Sequence, residues 1–307
     1  MNEYIKLAWR NIWRNKRRTL ITAASIFFAI FFALIMRGFQ LGSYSNMIEN
    51  AVKLYSGHIQ IHKNGYSDNR SINNTLKVNE ELMSKLKTNE NIEQIVPRLE
   101  SFALGSSGPK TKGVLVMGID PQKQDEMSNL SEKIIKGSYF KSGESEAIVG
   151  KKLAKFLELG VNDTLVLLSQ GYHGTTAAGK YTIKGIVEIP KPDLDNKMVY
   201  LPLSTSQQMY YAFGRLTTLS LILKDNDQLK ETVQQLKTKL PDEKYEVKTW
   251  QEIMPELVQQ IESDNASGWL MLLILYLIIL FGIFGTVMMM VAERKREFGV
   301  MIAVGMH

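Results

Sequence analysis

Two long runs of apolar residues constrain the fold of this 307-residue chain more than any other feature. Residues 19–36 and 268–292 contain no charged side chain. The hydrocarbon core of a bilayer is about 30 Å thick, and a helix needs roughly 20 apolar residues to cross it. The second run reaches this length by itself, and the first reaches it when it is extended to Leu41. We therefore predict transmembrane helices at residues 19–41 and 268–292.

Each run has an alternative interpretation. The first follows basic residues near the N-terminus, as the apolar part of a cleaved signal peptide does. It is longer than the roughly 7 to 15 apolar residues of a signal peptide, however, and no small-x-small cleavage site follows at Met36, Arg37 and Gly38. The second run could be a buried helix of a soluble domain, but such helices rarely stay free of charge over so many residues.

The formal charge of +6 is concentrated at the two ends of the chain. Residues 1–18 carry six basic side chains against one acidic, residues 293–307 carry three against two, and the remainder is balanced. Lys and Arg accumulate on the cytoplasmic side of a span, so both ends are predicted to be cytoplasmic and residues 37–267 external. Because the excess charge lies at the membrane borders, no nucleic-acid partner is predicted. The absence of cysteine is compatible with an exported domain and decides little.

Residues 1–18 are predicted to form a cytoplasmic, interfacial amphipathic helix. Ile5, Trp9 and Trp13 recur at helical spacing beside a basic stripe that includes Arg10 and Arg14. Such a helix lies at the headgroups of a phospholipid membrane, with its cations toward anionic lipid. The residues assigned to the membrane interface are Trp9, Arg10, Trp13, Arg14 and Arg18. The alternative is a plain positive flank without a separate helix.

A stripe of small residues runs along the first span. Ser25, Ala29 and Ala33 recur every four residues, and Gly38 and Gly42 form another pair four residues apart at the outer end. Small side chains let a second helix approach closely within lipid, so this stripe predicts helix packing in a bundle. Small residues are common in spans in any case, which makes the pattern weakly specific.

The stretch between the spans, residues 42–267, reads as a mixed α/β domain, and the density of strands predicts a β-rich lobe at about 130–215. Predicted strands lie at 57–62, 113–119, 164–169, 181–189, 198–201 and 218–223. Predicted helices lie near 79–88, 149–159, 204–213, 226–239 and 249–265. The expected fold class is thus an α+β membrane protein in which two transmembrane helices flank a large extracytoplasmic domain.

Motifs that imitate binding sites are weak. Gly174 to Tyr181, GTTAAGKY, fits a phosphate-binding loop, but Tyr replaces the magnesium-binding Ser or Thr and a strand pattern follows where a helix is needed. We assign it to a hairpin tip. His58, Gln60 and His62 alternate along a strand, and we interpret them as a solvated face because no third ligand lies nearby. His173 lies in the glycine-rich tip. We predict no catalytic residue, metal site or cofactor.

The residues after the second span predict a helix that binds a partner. Residues 293–297 are all charged, and Phe298, Met301, Ile302 and Gly305 then recur as one helical face. A helix with one apolar and one charged side suits docking at the cytoplasmic surface. A charged stop-transfer flank, the alternative, explains the charges but not the pattern that follows them.

The two membrane-flanking segments carry a resemblance to a known family. LAWRNIWRNKRRTLIT and ERKREFGVMIAVGMH resemble the signature regions of FtsX-like, MacB-type permeases of ABC transporters. SGHIQIHKNGY is similar to the segment after the first span in lipoprotein-releasing members of the LolC/LolE type, and GSYFKSGESEAIVGKKLAKFLELGVNDTLVLL and KMVYLPLSTSQQMYY resemble their periplasmic domain. The resemblance covers nearly the whole chain.

This resemblance implies an architecture and the positions of functional residues. Family members have a periplasmic domain of two lobes, three further spans, and a coupling helix that rests on the ATPase subunit. The coupling pattern falls on Glu293, Arg294, Glu297, Gly299, Ala303 and Gly305, and the N-terminal pattern falls on Arg10, Asn11, Arg14, Arg18 and Thr19. Since the sequence ends without third and fourth spans, the resemblance implies either a truncated chain or a half-permease that needs another chain, and we favour truncation.

The resemblance also implies a function and a set of partners. The expected function is that of a non-catalytic permease subunit in the bacterial inner membrane, acting with an ABC ATPase subunit and a second permease protomer. Extraction of a lipoprotein and its transfer to a periplasmic carrier is the expected task. Alternatives within the family are a MacB-like exporter of drugs or peptides and a regulator of a cell-wall hydrolase. An alternative of another class is a membrane-anchored sensor or adhesion domain without an ATPase.

Overall fold

The computed structural model describes residues 5–6, 9–10, 13–14, 16–140 and 144–305. The helices from residue 16 onward are α1 (Lys16–Ala51), α2 (Glu80–Lys87), α3 (Pro121–Ser128), α4 (Lys151–Leu157), α5 (Pro192–Asp195), α6 (Leu203–Met209), α7 (Leu229–Lys239), α8 (Trp250–Ile253), α9 (Pro255–Glu293) and α10 (Lys295–Ala303). The strands are β1 (Ile59–Lys63), β2 (Leu76–Lys77), β3 (Ile92–Ser107), β4 (Lys110–Ile119), β5 (Ile134–Gly137), β6 (Glu146–Gly150), β7 (Thr164–Gln170), β8 (Thr176–Val187), β9 (Met198–Pro202), β10 (Arg215–Leu216), β11 (Thr218–Leu223) and β12 (Tyr245–Thr249). Shorter turns are the π-helical Val52–Ser56 and the 3-10 turns Ser131–Lys133, Tyr172–Gly174 and Asn226–Gln228.

The described chain divides into two compact units. The first joins the residues up to Ile48 with those from Pro255 onward, and it contains the two helices that are long and apolar enough to cross a membrane, α1 and α9. The most apolar window of each helix has no buried residue, unlike the core helix of a soluble protein. Both helices run past the apolar stretches, since α1 continues to Ala51 and α9 begins at Pro255. Proline suits the start of α9 because the first helical turn needs no backbone donor there.

The second unit, Glu49–Met254, contains the mixed α/β domain. Four strands form an antiparallel sheet in the order β12, β1, β11 and the first half of β3. The central strand β1 is buried on both faces, because Ile59 and Ile61 as well as Gln60 and His62 are almost inaccessible to solvent. Two hydrogen bonds join the region of α2 to α7, one from Asn89 and one from Asn91.

Six strands of the domain close into a small barrel. β3 pairs with β4, β4 with β9, β9 with β6, β6 with β8, β8 with β7, and β7 returns to β3. Leu165 and Leu167 of β7 point into the barrel and are buried. Leu168, the next residue, points outward and is exposed. Buried residues of this core include Leu99, Val114, Val116, Val149, Ile183 and Val199. Strands β3 and β4 come from residues before 130, so the barrel draws on more of the chain than the strand-rich pattern indicates.

The fold class is the predicted one, with two long apolar helices at the ends of a mixed α/β domain. The six predicted strands correspond to β1, β4, β7, β8, β9 and β11. The elements that were not predicted are strands β2, β3, β5, β6, β10 and β12 and helices α3 and α5. The predicted helix at 249–265 is two helices, because Met254 leaves helical geometry between α8 and α9.

The interpretation of His58, Gln60 and His62 as a solvated face is wrong. Gln60 donates to the backbone of the π-helical turn at Ser56 over 2.8 Å, and His62 stacks on Tyr66 with ring centroids 4.8 Å apart. Both neighbours cover the face that the alternation predicted to be open. Burial lowers the pKa of His62 to about 4.

The phosphate-loop imitation lies in the hairpin of β7 and β8, but only Gly174 and Thr175 belong to the predicted tip. Gly174 ends the turn, and Thr176 to Tyr181 pair with β7 as a strand. Phosphate loops place their glycines before a helix N-terminus, where backbone N–H groups converge on an anion. The strand that occupies this position offers no such arrangement.

Candidate functional site

The charged segment after the second long helix contains a sharp break in the backbone. Helix α9 ends at Glu293 and α10 begins at Lys295. Arg294 between them has φ −99° and ψ 2°, and its N–H donates to the carbonyl of Val291 over 3.1 Å. One residue outside helical geometry is sufficient to end the hydrogen-bond ladder of α9 and start a new helix.

The apolar side chains that the structure describes in helix α10 and just after it are exposed. Ile302 is 71% exposed and Val304, just after the helix, is 80% exposed. Gly305 has φ +93°, in the left-handed region that commonly ends a helix at glycine. The short helix therefore offers an open apolar surface directly after a charged junction, which is the chemistry of a docking element.

The predicted coupling residues are distributed over this segment. Glu293 closes α9, Arg294 is the junction, Gly299 lies within α10, Ala303 is its last residue, and Gly305 follows it. A side chain added at Gly299 would meet no atom within 4 Å, so this face of the helix is open. Glu297 lies within the helix, but its side chain, like those of Phe298 and Met301, lies outside the described part of the chain.

Of the residues predicted to lie at the membrane interface, Trp9, Arg10, Trp13 and Arg14 are helical. Trp9 and Trp13 are exposed, with ring centroids 5.9 Å apart and an angle of 59° between the ring planes. Arg10 and Arg14 are also exposed. Asn11 and the side chain of Arg18 lie outside the described residues.

The two long helices are paired through stripes of half-buried residues at intervals of three and four. On α1 the stripe comprises Thr19, Thr22, Ile26, Ala29, Ala33, Arg37, Gln40, Tyr44 and Met47. On α9 it comprises Val258, Ile261, Asn265, Gly268, Leu272, Leu275 and Ile279. Ala29 and Ala33 line an apolar cleft of about 350 Å³ between the helices. Ser25 points away from this cleft and is exposed, and its hydroxyl donates to the carbonyl of Ile21 over 2.8 Å.

A group of polar residues joins the two helices at one end of this pairing. We call Arg37, Gln40, Tyr44 and Asp264 the polar clasp. The Tyr44 hydroxyl donates to the carboxylate of Asp264 over 2.5 Å, and the Gln40 amide donates to the Asp264 backbone carbonyl over 3.2 Å. Arg37 donates to Gln40 over 2.8 Å from the preceding turn.

Sequence reasoning missed the polar clasp, although a signal exists. Arg37, Gln40 and Tyr44 follow the first apolar run at the spacing of one helical face, and Asp264 precedes the second run. Polar side chains that follow one span and precede the next lie on the same side of the membrane, so they are candidates for contact with one another. Nothing in either segment alone pairs them.

Other site chemistry is not found in the described ranges. Among residues 5–6, 9–10, 13–14, 16–140 and 144–305, no group of three or more His, Asp or Glu side chains is arranged to hold a metal ion. The candidate site is formed by the junction at Arg294, helix α10 and the facing stripes of α1 and α9.

Comparison with known proteins assigns the family. The MacB-like periplasmic core domain family matches residues 19–239, which is well over half of the chain. The chain belongs to this family. This match confirms the MacB-type resemblance of the sequence.

Two curated relatives of this MacB-like chain are components of lipoprotein-releasing systems. The transmembrane protein LolC of Xylella fastidiosa is 27% identical over 231 residues, which cover 71% of this chain and 54% of LolC. The transmembrane protein LolE of Haemophilus influenzae is 22% identical, and the match covers 99% of this chain and 75% of LolE. The chain thus spans about half the length of the LolC proteins that it matches.

Two solved structures resemble this MacB-like chain in part. The extracellular domain of the ABC-type transporter YknZ from Gram-positive bacteria is 16% identical with a TM-score of 0.45, and covers 62% of this chain and 99% of its own. The periplasmic region of MacB from Actinobacillus actinomycetemcomitans is 15% identical with a TM-score of 0.44, and covers 69% of this chain and 95% of its own.

Proposed function

We propose that the chain is a non-catalytic permease subunit that converts ATP hydrolysis by a separate ABC ATPase subunit into movement of its extracytoplasmic domain. The observation that carries the proposal is the arrangement of α9 and α10. A 39-residue helix ends at a one-residue break and is followed by a short helix with exposed apolar side chains. A continuous helix is stiff along its axis because every turn is hydrogen-bonded to the next. Force applied to α10 would therefore travel along α9.

The proposed topology follows from charge. The basic residues at both ends face the cytoplasm of a bacterium, α1 and α9 cross the inner membrane, and the α/β domain lies outside it. The tryptophans at Trp9 and Trp13 and the nearby arginines contact the phospholipid headgroups. The segment from Glu293 to Gly305 is then on the side where an ATPase subunit binds ATP.

A second permease protomer, identical or related, completes the proposed assembly. In the described chain, the lipid-spanning parts of α1 and α9 have only one another as helical neighbours, and their outward faces carry large exposed apolar side chains. A span packed on one side can accept further helices on the other, and small residues aid that approach. The half-buried Ala29 and Ala33 and the exposed Ser25 serve packing on different faces of α1.

The proposed substrate is a lipoprotein, which the transporter extracts from the inner membrane and delivers to a periplasmic carrier. The similarity to LolC and LolE supports this choice. Export of drugs or peptides in the manner of a MacB-like transporter is the second candidate, supported by the family match. Regulation of a cell-wall hydrolase is the other alternative within the family and would use the same ATPase contact. A sensor or adhesion domain without an ATPase would leave the exposed apolar surface of α10 without a partner.

The contact with the ATPase is tested by charge changes on α10. We expect Glu297→Lys and Ala303→Arg, introduced into the complete transporter, to lower co-purification of the cognate ATPase by at least about tenfold, because a docking surface concentrates its affinity in few residues. Glu262→Lys and Ala266→Arg make the same changes at exposed positions near the other end of α9 and serve as matched controls. Normal ATPase binding by both α10 variants would refute the proposed coupling contact, since a stop-transfer flank needs only its positive charges.

The substrate is tested in proteoliposomes that contain the transporter, its ATPase and a fluorescent lipoprotein, with a periplasmic carrier in the buffer. Lipoprotein release that requires hydrolysable ATP and the carrier is the expected result. ATP-dependent transport of a peptide or drug without lipoprotein release would replace this substrate by that of an exporter. Release that persists with a non-hydrolysable ATP analogue would contradict a role in ATP-driven work.

A further inference from the structure

The pairing of α1 with α9 depends on few specific contacts. Both helices are apolar around most of their circumference, and in lipid such surfaces gain nothing from leaving water. Close packing and hydrogen bonds between helices supply the remaining attraction. The polar clasp lies where the two helices leave the lipid, since Tyr44 follows the first predicted span and Asp264 precedes the second, and it can hold the helices together at that border.

Asp264 is the centre of the clasp. Its carboxylate accepts the Tyr44 hydroxyl over 2.5 Å and lies 3.3 Å from the Gln40 amide, while its backbone carbonyl accepts from the same amide over 3.2 Å. The Gln40 amide nitrogen also donates to the Tyr44 hydroxyl oxygen over 2.7 Å. Hydrogen bonds to a carboxylate are shorter and stronger than those between neutral groups.

The backbone of α9 is shaped to admit this contact. A Cβ atom at Gly268, one turn after Asp264, would lie 3.0 Å from the side-chain amide of Gln40. Glycine at this position lets the amide of Gln40 rest against the helix. The next residue, Trp269, has its ring 5.8 Å from the guanidinium carbon of Arg37. Contacts thus extend over more than one turn of both helices, which fixes their register as well as their distance.

We propose that Gln40, Tyr44 and Asp264 are positioning residues that hold the C-terminal part of α1 against the N-terminal part of α9, so that movement of α9 is passed to α1. This inference rests on the proposed function, in which α9 receives the force from the ATPase. If α9 moved alone, only one of the two connections between the membrane and the external domain would shift. With the clasp closed, both connections shift together.

The first test measures the pairing itself. Residues 1–307 contain no cysteine, so Ser45→Cys and Ala266→Cys, both at exposed positions outside the clasp, allow two spin labels to be attached at defined sites once any cysteine elsewhere in the transporter is replaced. In the complete transporter we expect a narrow distance distribution by double electron-electron resonance, and its mean stays constant when ATP is added. Adding Tyr44→Phe and Gln40→Leu should broaden the distribution. An unchanged distribution in this double variant overturns the proposal.

The second test measures coupling. Tyr44→Phe with Gln40→Leu removes every side-chain hydrogen bond from these two residues to Asp264, and it should lower the lipoprotein released per ATP hydrolysed by at least about tenfold. The rate of ATP hydrolysis and the binding of the ATPase should stay at the wild-type level. Asp264→Asn, which keeps an acceptor for Tyr44, should have a smaller effect. Ser43→Ala, which lines the same notch between the helices, is the matched control and should behave as wild type.

A covalent link separates a clasp that stays closed from one that must open. Ser43→Cys and Ser267→Cys line the notch beside the clasp, and a short bifunctional maleimide can join them. The link should restore release per ATP in the Tyr44→Phe and Gln40→Leu variant. Loss of release in the linked wild type, or a fall in ATP hydrolysis parallel to release in the unlinked variant, overturns the proposal. The distance measurement does not involve the ATPase contact, so normal ATPase binding by Glu297→Lys would refute the proposed function and leave the distance result to decide the clasp.

Discussion

The Nδ1 atom of His62 lies 2.9 Å from the carbonyl oxygen of Thr217. The contact joins β1 to the residue that precedes β11, inside the four-stranded sheet. The ring is almost inaccessible to solvent and stacks on Tyr66. A histidine in this position resists a second proton, because burial penalises the charged imidazolium.

This burial predicts a pH dependence of stability. Burial lowers the pKa of His62 from its usual value near 6.5 to about 4, against the weaker opposing influence of the Thr217 hydrogen bond and Glu246. The unfolded chain therefore takes up a proton in a pH range where the folded domain does not, and the free energy of unfolding falls as the pH drops from about 6.5 to about 4. The expected loss is roughly 3 kcal/mol. Urea unfolding of wild type and His62→Gln at several pH values measures it, and the difference between the two should shrink toward pH 4.

If the free energy of unfolding of His62→Gln fell with pH as steeply as that of wild type between pH 6.5 and 4, His62 would not be the cause of the dependence. His58 also has a lowered pKa, caused first by burial, so its contribution remains in both proteins and cancels in the comparison. The carboxylates likewise remain in both proteins. The comparison therefore isolates the His62 ring.

Replacing the buried carboxylate of Asp195 by an amide of the same shape is predicted to lower the stability of the domain. Its carboxylate accepts the backbone N–H groups of Lys151, Lys152 and Ile189 at 2.9 to 3.1 Å and holds the start of α4 against the loop after β8. Asp195→Asn places an amide group where two acceptor oxygens are needed, and it should cost about 2 kcal/mol of unfolding free energy.

The matched control is Asp193→Asn on the same short helix, where the side chain is exposed. Its effect should stay below about 0.5 kcal/mol, as is usual for surface changes. Both values come from urea unfolding at neutral pH. Equal stability of the two variants would remove the structural importance assigned to Asp195.

The external domain is predicted to fold without its spans. A soluble fragment of residues 42–267 contains the whole second unit, including the barrel and the four-stranded sheet. We expect one or two cooperative unfolding transitions by circular dichroism. A fragment that ends at residue 243 lacks β12, which pairs with β1 along its whole length, and should be much less stable. Absence of any cooperative transition in the longer fragment would refute the predicted boundaries.

The topology is predicted to place Lys16 and Arg296 inside the cell and Lys180 outside it. Single cysteines at these positions report the side directly, since the natural chain has none. A membrane-impermeant maleimide should label the cysteine at Lys180 in intact cells, and should label the other two only after the cells are opened. The opposite labelling would overturn the assignment from charge.

Strand β3 could not be predicted from its local sequence pattern. Its sixteen residues contain Pro97 and several polar side chains, and no steady alternation predicts a strand. The structure explains why, since the first half of β3 lies in the antiparallel sheet and the second half in the barrel. A strand that serves two cores changes its burial pattern midway. Strand β11, which lies in one sheet, has a regular pattern and was predicted over its full length.

The sequence by itself determined the features that depend on neighbouring residues. The two long apolar helices, half of the strands and the charged junction at Glu293 to Arg296 follow from run length, alternation and charge, which a short segment expresses alone. Only the tertiary structure decided the closure of the barrel, the burial of His62 and the clasp between Gln40 and Asp264. The last two residues are 224 positions apart. Whether a polar side chain is solvated or paired depends on segments that arrive from elsewhere in the chain, and local periodicity contains no information about them.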